Sequence, residues 1–231
     1  MGSFVKVLTW LIVSALLISG CADSYQWSKS HPDYHKAPYG DLAVAGVQDA
    51  FVLTRSAWFA KRLQVSTDSI QILGTQFCAQ AMIKEMKGAY SNLIVLSENA
   101  LADAPEESQK LDDRIFMKGK LPEQGVVVKD SAGNIPPQIL LIHEVIVGTD
   151  LNRESFFDYA VMHNESPERT AAKNISAVVS YTLWDNEKQR PLFSAVDEIQ
   201  RPVTVMTWEE LDALVRQIVS EIRKNLYMGA K

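Results

Sequence analysis

Ile175-Ser176-Ala177-Val178-Val179-Ser180-Tyr181-Thr182-Leu183-Trp184 places Ile175, Ala177, Val179, Tyr181 and Leu183 at every second position, with Ser176, Val178, Ser180, Thr182 and Trp184 between them. Successive side chains of a strand point to opposite faces, so this period of two marks a strand with one face in a core. Asp185-Asn186-Glu187-Lys188 supplies turn residues, and Leu192 to Val203 comes back as a return strand. A sheet face that is apolar needs a cover, and the chain ends in one. Leu211, Leu214, Val215, Ile218, Ile222 and Leu226 line one face of a helix, opened by Thr207 and Glu210 as a capping box and closed at Gly229. That face is expected to dock on the sheet.

Upstream of the hairpin, Ile139 to Val147 is a long apolar strand. It is joined to a shorter one, Val126 to Lys129, through Ser131-Ala132-Gly133-Asn134 and the rigid Pro136-Pro137 pair. Leu42-Ala43-Val44-Ala45-Gly46-Val47 and Asn92 to Leu96 read as buried strands. Between them lies a helix from Ser69, in which Ile70, Leu73, Phe77, Cys78, Ala81, Met82 and Met86 share one broad face and Gly88 stands at the C-terminal cap. Phe51 to Leu63 is apolar but holds Arg55, Lys61 and Arg62, and its type stays open. Ala104 to Lys118 starts with Pro105, Glu106 and Glu107, which suit a helix's first turn, and continues with Leu111, Ile115 and Phe116. The expected fold is α/β (α+β): a single domain over residues 41–231, with a mixed, mostly antiparallel sheet covered by helices, the C-terminal helix among them.

The amino terminus sets the compartment. Lys6 precedes Val7 to Leu17, where only Thr9 and Ser14 interrupt apolar residues, and small residues follow at Ser19 and Gly20, the layout of a secretory signal. Val5 to Ile18 supplies fourteen residues, short of the roughly 20 that a membrane-spanning helix needs. Leu17-Ile18-Ser19-Gly20-Cys21 resembles the bacterial lipobox, in which cleavage precedes a cysteine that is linked to diacylglycerol and then N-acylated. The resemblance implies a signal peptide over residues 1–20 and lipid on Cys21, with three acyl chains each contributing about 0.8 kcal/mol per buried CH₂. In such lipoproteins an aspartate directly after the cysteine favours the inner membrane. Ala22 stands there, which implies the outer membrane, facing the periplasm. Residues 21–40, with Pro32, Pro38 and Gly40, read as a lipidated flexible tether of roughly 22 to 26 Å as a coil and at most about 65 Å stretched.

Removing residues 1–20, whose only charge is Lys6, takes the formal net charge from −5 to −6 over 211 residues. With no basic surplus, nucleic-acid binding is disfavoured. Hydrophobic content of 47% with 22% charged residues is that of a chain able to bury a core. Lipidation takes one of the two cysteines, so no disulfide framework exists, and Cys78, between Phe77 and Ala79, reads as buried and inert.

Candidates for chemistry are few. His31, Asp33 and His35 have metal-ligand chemistry, but Pro32 and Pro38 deny them a helix, and a solvated linker is the better reading. Tyr25, Trp27, Tyr34 and Tyr39 are four rings to be packed on the domain or placed at the lipid interface. His143-Glu144 looks like an acid/base pair, yet neighbours on a strand point to opposite faces, so a satisfied sheet histidine is expected. Ser155 to Lys173 is a polar excursion and the expected functional loop. Phe156, Phe157, Tyr159 and His163 are its candidates for partner binding, and Asp158, His163 and Glu165 its candidates for an acid/base or metal site. No nucleophile elbow, zinc-protease motif, phosphate loop or dinucleotide fingerprint occurs. No catalytic residue, metal or cofactor is assigned.

Leu183, Trp184, Asp185 and Leu192 in the hairpin, together with the order strand-helix-strand, antiparallel strands, hairpin and C-terminal helix, resemble one group of envelope domains. The group comprises the α/β domain at the N terminus of the Tol-Pal propeller protein, curli-type secretion lipoproteins and lipoprotein activators of penicillin-binding proteins. Where the group has a turn glycine, this chain has Gln189 and Arg190. The resemblance implies a binding module or assembly part. The expected function is that of a non-enzymatic envelope lipoprotein held in lipid by Cys21, which binds another envelope protein or assists envelope assembly. The alternatives are a lipid-anchored hydrolase or metal-dependent enzyme using the 155–173 excursion, and a secretion-pore component.

Overall fold

The computed structural model describes residues 24–35, 42–90, 92–111, 115–149 and 174–226. Seven strands form a mixed sheet: β1 (Ser24–Ser30), β2 (Leu42–Ala45), β3 (Phe51–Leu53), β4 (Leu93–Val95), β7 (Gln138–Thr149), β8 (Asn174–Asp185) and β9 (Arg190–Pro202). Two more, β5 (Glu106–Lys110) and β6 (Phe116–Lys120), form a separate antiparallel ribbon. The sheet order is β1-β9-β8-β7-β2-β4, with β3 also on β7. Long antiparallel pairings join β1, β9, β8 and β7, and short parallel pairings join β7 to β2 and β3, and β2 to β4. The fold is α+β, with a mixed sheet and a C-terminal helix, as the sequence pattern predicts.

One sheet face is covered by α1 (Ser56–Leu63), α2 (Thr67–Ala89) and α3 (Trp208–Leu226). Ile175, Ala177, Val179, Tyr181 and Leu183 of β8 all turn into this core, where they meet Leu211, Leu214, Val215, Ile218, Ile222 and Leu226 of α3, all buried. At roughly 1.5–3 kcal/mol for each large aliphatic side chain taken from water, this seam is a main source of stability. Thr207 Oγ1 accepts a hydrogen bond from the Glu210 backbone N–H at 3.3 Å, but the Glu210 carboxylate takes the Arg201 guanidinium at 2.9 Å instead of reaching back. The expected capping box is half formed.

Four expectations change. Ala104 to Lys118 is not a helix: Glu106 to Lys110 and Phe116 to Lys120 pair as strands, and Met117 and Gly119 turn inward while Lys118 and Lys120 stay exposed. The thin apolar face could not anchor a helix, whereas the alternation along β6 gives the ribbon one buried side. Gly88 lies inside α2, which ends at Tyr90 in extended backbone, and Leu73 is solvent-exposed instead of sharing the buried face. Val126 to Lys129 forms no strand. Val128 is buried, and its N–H and C=O are both bonded by the Asn186 side chain, at 3.0 and 2.8 Å.

Within the segment read as a tether, Ser24–Ser30 forms the edge strand β1, paired with Phe193 to Ile199. An outermost strand buries little, so it carries no apolar pattern to read. Tyr34 then packs on Phe193, with ring centroids 5.4 Å apart, and donates a hydrogen bond from its hydroxyl to the Leu226 carbonyl at 2.8 Å. Phe51 to Leu63, left open by the sequence, is β3 followed by α1. Among the described residues no helix is long and apolar enough to cross a membrane.

Candidate functional site

The second face of the sheet is only half covered. Ala43, Ala45, Ile139, Leu141 and Trp184 pack under Leu96, Leu121 and Val128 in a small second core. Beside the β5–β6 ribbon, Ile146, Val178 and Val196 on this face are half-buried. What shapes the face is a bulge in β7: Ile142 pairs with Tyr181 and Glu144 with Ser180, leaving His143 as the extra residue. Ile142 and Val145 both enter the helix-side core, so His143 and Glu144 both stand on the second face. This corrects the expectation that they point to opposite sides, because strict alternation fails at a bulge.

The bulge lies opposite a break between β2 and β3, which pair with Ile139 to Leu141 and with Val145 to Val147. Gly46 makes the break with a left-handed φ of 83°, and a Cβ on it would run into the Ile142 carbonyl oxygen. Only glycine fits there. The connection leaving β2 runs over the helix face. The one leaving β4 runs over the second face, through a 3₁₀ turn (Glu98–Leu101), the ribbon and the Val128 loop. The carboxyl ends of β2 and β4 therefore diverge, the kind of point at which open α/β sheets form crevices. A cleft of about 400 Å³ opens there, lined among others by Asp49, Ser97, Glu106, Lys120 and His143.

His143 is the satisfied histidine the sequence predicts. Its Nε2 lies 2.9 Å from Thr182 Oγ1, which in turn lies 3.1 Å from Ser194 Oγ. Burial pushes the imidazole down to about 4, so it is neutral at pH 7 and a weak base. A second cavity of about 360 Å³ adjoins the first, sharing Lys118 and Glu144. It is a groove walled by Trp27, Ile115, Met117, Ile146, Val178 and Val196, with Glu144 and Glu198 as its acids. Glu144 keeps contact with solvent, yet partial burial holds its carboxyl above its ordinary value.

Cys21, Phe156, Phe157, Asp158, Tyr159, His163 and Glu165 lie outside the described residues, as do Tyr39 and the side chain of Tyr25. Among the described residues no group of three or more His, Cys, Asp or Glu is placed to hold a metal. His31 and Asp33 instead face Arg190, with Nε2 at 3.1 Å and a carboxylate oxygen at 2.6 Å. The turn that should need glycine is managed by Gln189, which takes a left-handed φ of 53° and accepts a hydrogen bond from the Gly125 N–H at 2.6 Å. The groove is absent from the sequence reading, in which Trp27 figures only as one of four rings to be packed on the domain or placed at the lipid interface. A lone tryptophan among Ser, Gln and Lys is the only mark it leaves.

No known protein family matches the sequence, and no curated protein does. Solved structures similar to the chain include the PelC dodecamer from Paraburkholderia phytofirmans, at 10% identity and a TM-score of 0.38, covering 87% of this chain and 98% of that one. A point variant of the same dodecamer gives 10% identity and a TM-score of 0.37, over 90% and 100%. Likeness of this degree assigns neither a family nor a function.

Proposed function

We propose that this chain is a non-enzymatic envelope lipoprotein, anchored by lipid on Cys21 in the outer membrane and facing the periplasm. In this reading the groove on the second sheet face takes an apolar segment of another envelope protein. The observation that carries it is the groove itself: six apolar walls, with two acids, Glu144 and Glu198, to one base, Lys118, beside them. Apolar walls supply affinity and the two carboxylates select charge. The preferred occupant is a segment that alternates apolar residues with lysine or arginine. The net charge of −6 on the chain without residues 1–20 favours the same sign of partner.

The test uses a labelled synthetic peptide of alternating Val and Lys, titrated into the full chain and followed by fluorescence anisotropy, with a Val and Glu peptide as control. The basic peptide is expected to bind at least tenfold more tightly, to weaken with salt and to be lost in Val178→Glu. Equal binding of both peptides, or no effect of Val178→Glu, would overturn the reading.

A further inference from the structure

The apolar groove has a direction. Trp27, Val196, Ser180 and Glu144 are register partners in turn across β1, β9, β8 and β7, and Glu198, Val178 and Ile146 form the next rung. All seven residues line the groove, so it crosses the strands instead of following them. Three interstrand steps of about 4.8 Å give a path of roughly 14 Å, the length of about four extended residues. The path ends at Glu144, where the cleft of about 400 Å³ begins, and Glu144 and Lys118 line both cavities. On the far side of the cleft stand Ser97 and Leu101, from the connection leaving β4, which lies beyond β2 in the sheet. A segment that follows the rung from Trp27 therefore runs end-on into these two residues. A chain end fits where a continuing chain does not.

The charges of the cleft select which end. Its lining sets three carboxylates, Asp49, Glu106 and Glu144, against two ammonium groups, Lys118 and Lys120, and the neutral His143 adds nothing, so one negative charge is in excess. Lys120 is the cross-strand partner of Glu106 in the ribbon, and Lys118 stands with Glu144 where the two cavities join. Asp49, exposed on the turn behind Gly46, is the carboxylate left over. We infer that the occupant of the groove enters by a free amino terminus, with its α-ammonium group in the cleft against Asp49 and its next residues lying along the groove toward Trp27. This rests on the reading that the groove takes a segment of another protein, and it names the end and the direction of that segment. A carboxyl terminus would bring a further negative charge to a site that already has one too many. An N-acylated partner lacks the ammonium group and is excluded.

The test titrates three peptides of alternating Val and Lys into the full chain, each labelled near its carboxyl end and followed by fluorescence anisotropy. One has a free amino terminus, one is acetylated there, and one is acetylated and carries an added carboxyl-terminal lysine that restores the net charge. The free peptide is expected to bind about tenfold more tightly than either acetylated one, as a charge-assisted hydrogen bond gained at one end would give. In Asp49→Asn, with far-UV circular dichroism to confirm folding, that gap is expected to close. Equal affinity of the free peptide and the charge-matched acetylated one, or an undiminished gap in folded Asp49→Asn, would overturn the inference. The groove reading would survive either result, provided that Val178→Glu still abolished binding. Binding of none of the three peptides would overturn both.

Discussion

Gly119 of β6 lies against the imidazole of His143 in β7 so closely that a Cβ at position 119 would overlap the ring at Nδ1 and Cγ. The ring is held from its other side by Thr182 and cannot retreat. Gly119→Ala is therefore expected to lift the ribbon and to cost roughly 1–3 kcal/mol in urea denaturation of the full chain. Adding His143→Ala should restore part of that loss, with a coupling of about 0.5–3 kcal/mol. Strict additivity of the two changes would show that the contact is not what fixes residue 119.

Asp197 is 2% exposed. Its carboxylate oxygen accepts from the Tyr181 hydroxyl and the Asn225 amide, both at 2.9 Å. Burial nevertheless raises its carboxyl to about 6. A folded-state value above the unfolded one means that the folded chain holds the extra proton between about pH 4 and 6. This group's contribution is then complete below that window and lost as pH rises through it, by on the order of 3 kcal/mol. Asp197→Asn is expected to be the more stable form at pH 7 and to flatten the profile. Urea midpoints measured from pH 4 to 8 check both, and parallel profiles for the two proteins would refute the assignment.

Cys78 is fully buried, and burial, with Asp212 adding to it, pushes its thiol up to about 12. Maleimide at pH 8 should leave residue 78 unlabelled in the native chain and modify it fully in denaturant, as peptide mass mapping would show. Stoichiometric native labelling at residue 78 would contradict the packing of α2 against α3.

Leu214 and Ile218 lie one turn apart at the centre of the buried stripe of α3, whereas Arg216 is exposed and pairs with Asp212 at 2.7 Å. Leu214→Ala or Ile218→Ala should cost about 2–5 kcal/mol, and Arg216→Ala no more than about 0.5 kcal/mol. The chain used must include β1, because Tyr34 and Ser24–Ser30 are built into the sheet and its cover. Similar small effects at all three positions would mean that α3 does not carry the core.

Cys21→Ser should abolish incorporation of radiolabelled palmitate in cells. Label retained in that variant would remove the lipid anchor from the proposed function.

What could be read from the sequence follows how each element is stabilised. α3 buries one face, and β8 sends its apolar alternate residues into the helix-side core while mostly Ser and Thr, also largely buried, take the other face, so the periods of 3.6 and two were plain. β1 gains its order from β9, far along the chain, and carries little pattern of its own, while the ribbon pairs within itself and its alternation runs over only Met117 to Lys120. Pro105-Glu106-Glu107 even imitates the start of a helix. The bulge at His143 is a property of two strands in register, invisible in either alone, so the face shared by His143 and Glu144 could not be inferred. Gly46 was the available hint, as a glycine inside an apolar strand run marks a bend.

Placing β1 at the rim of the sheet makes the domain's response to tension depend on direction. A pull on the chain ahead of Ser24, applied along the strand, shears all seven register pairs from Ser24–Ile199 to Ser30–Phe193 at once. The same pull applied across the sheet peels them one after another, starting at Ser24. Rupture under force is governed by the barrier to opening and not by equilibrium stability, so a lengthwise drag on the chain meets a rivet and a sideways one meets a zip, whichever way the anchor proposed at Cys21 would pull. Behind the strand, the Asp33–Arg190 ion pair and the Tyr34 bond to Leu226 are the next stops.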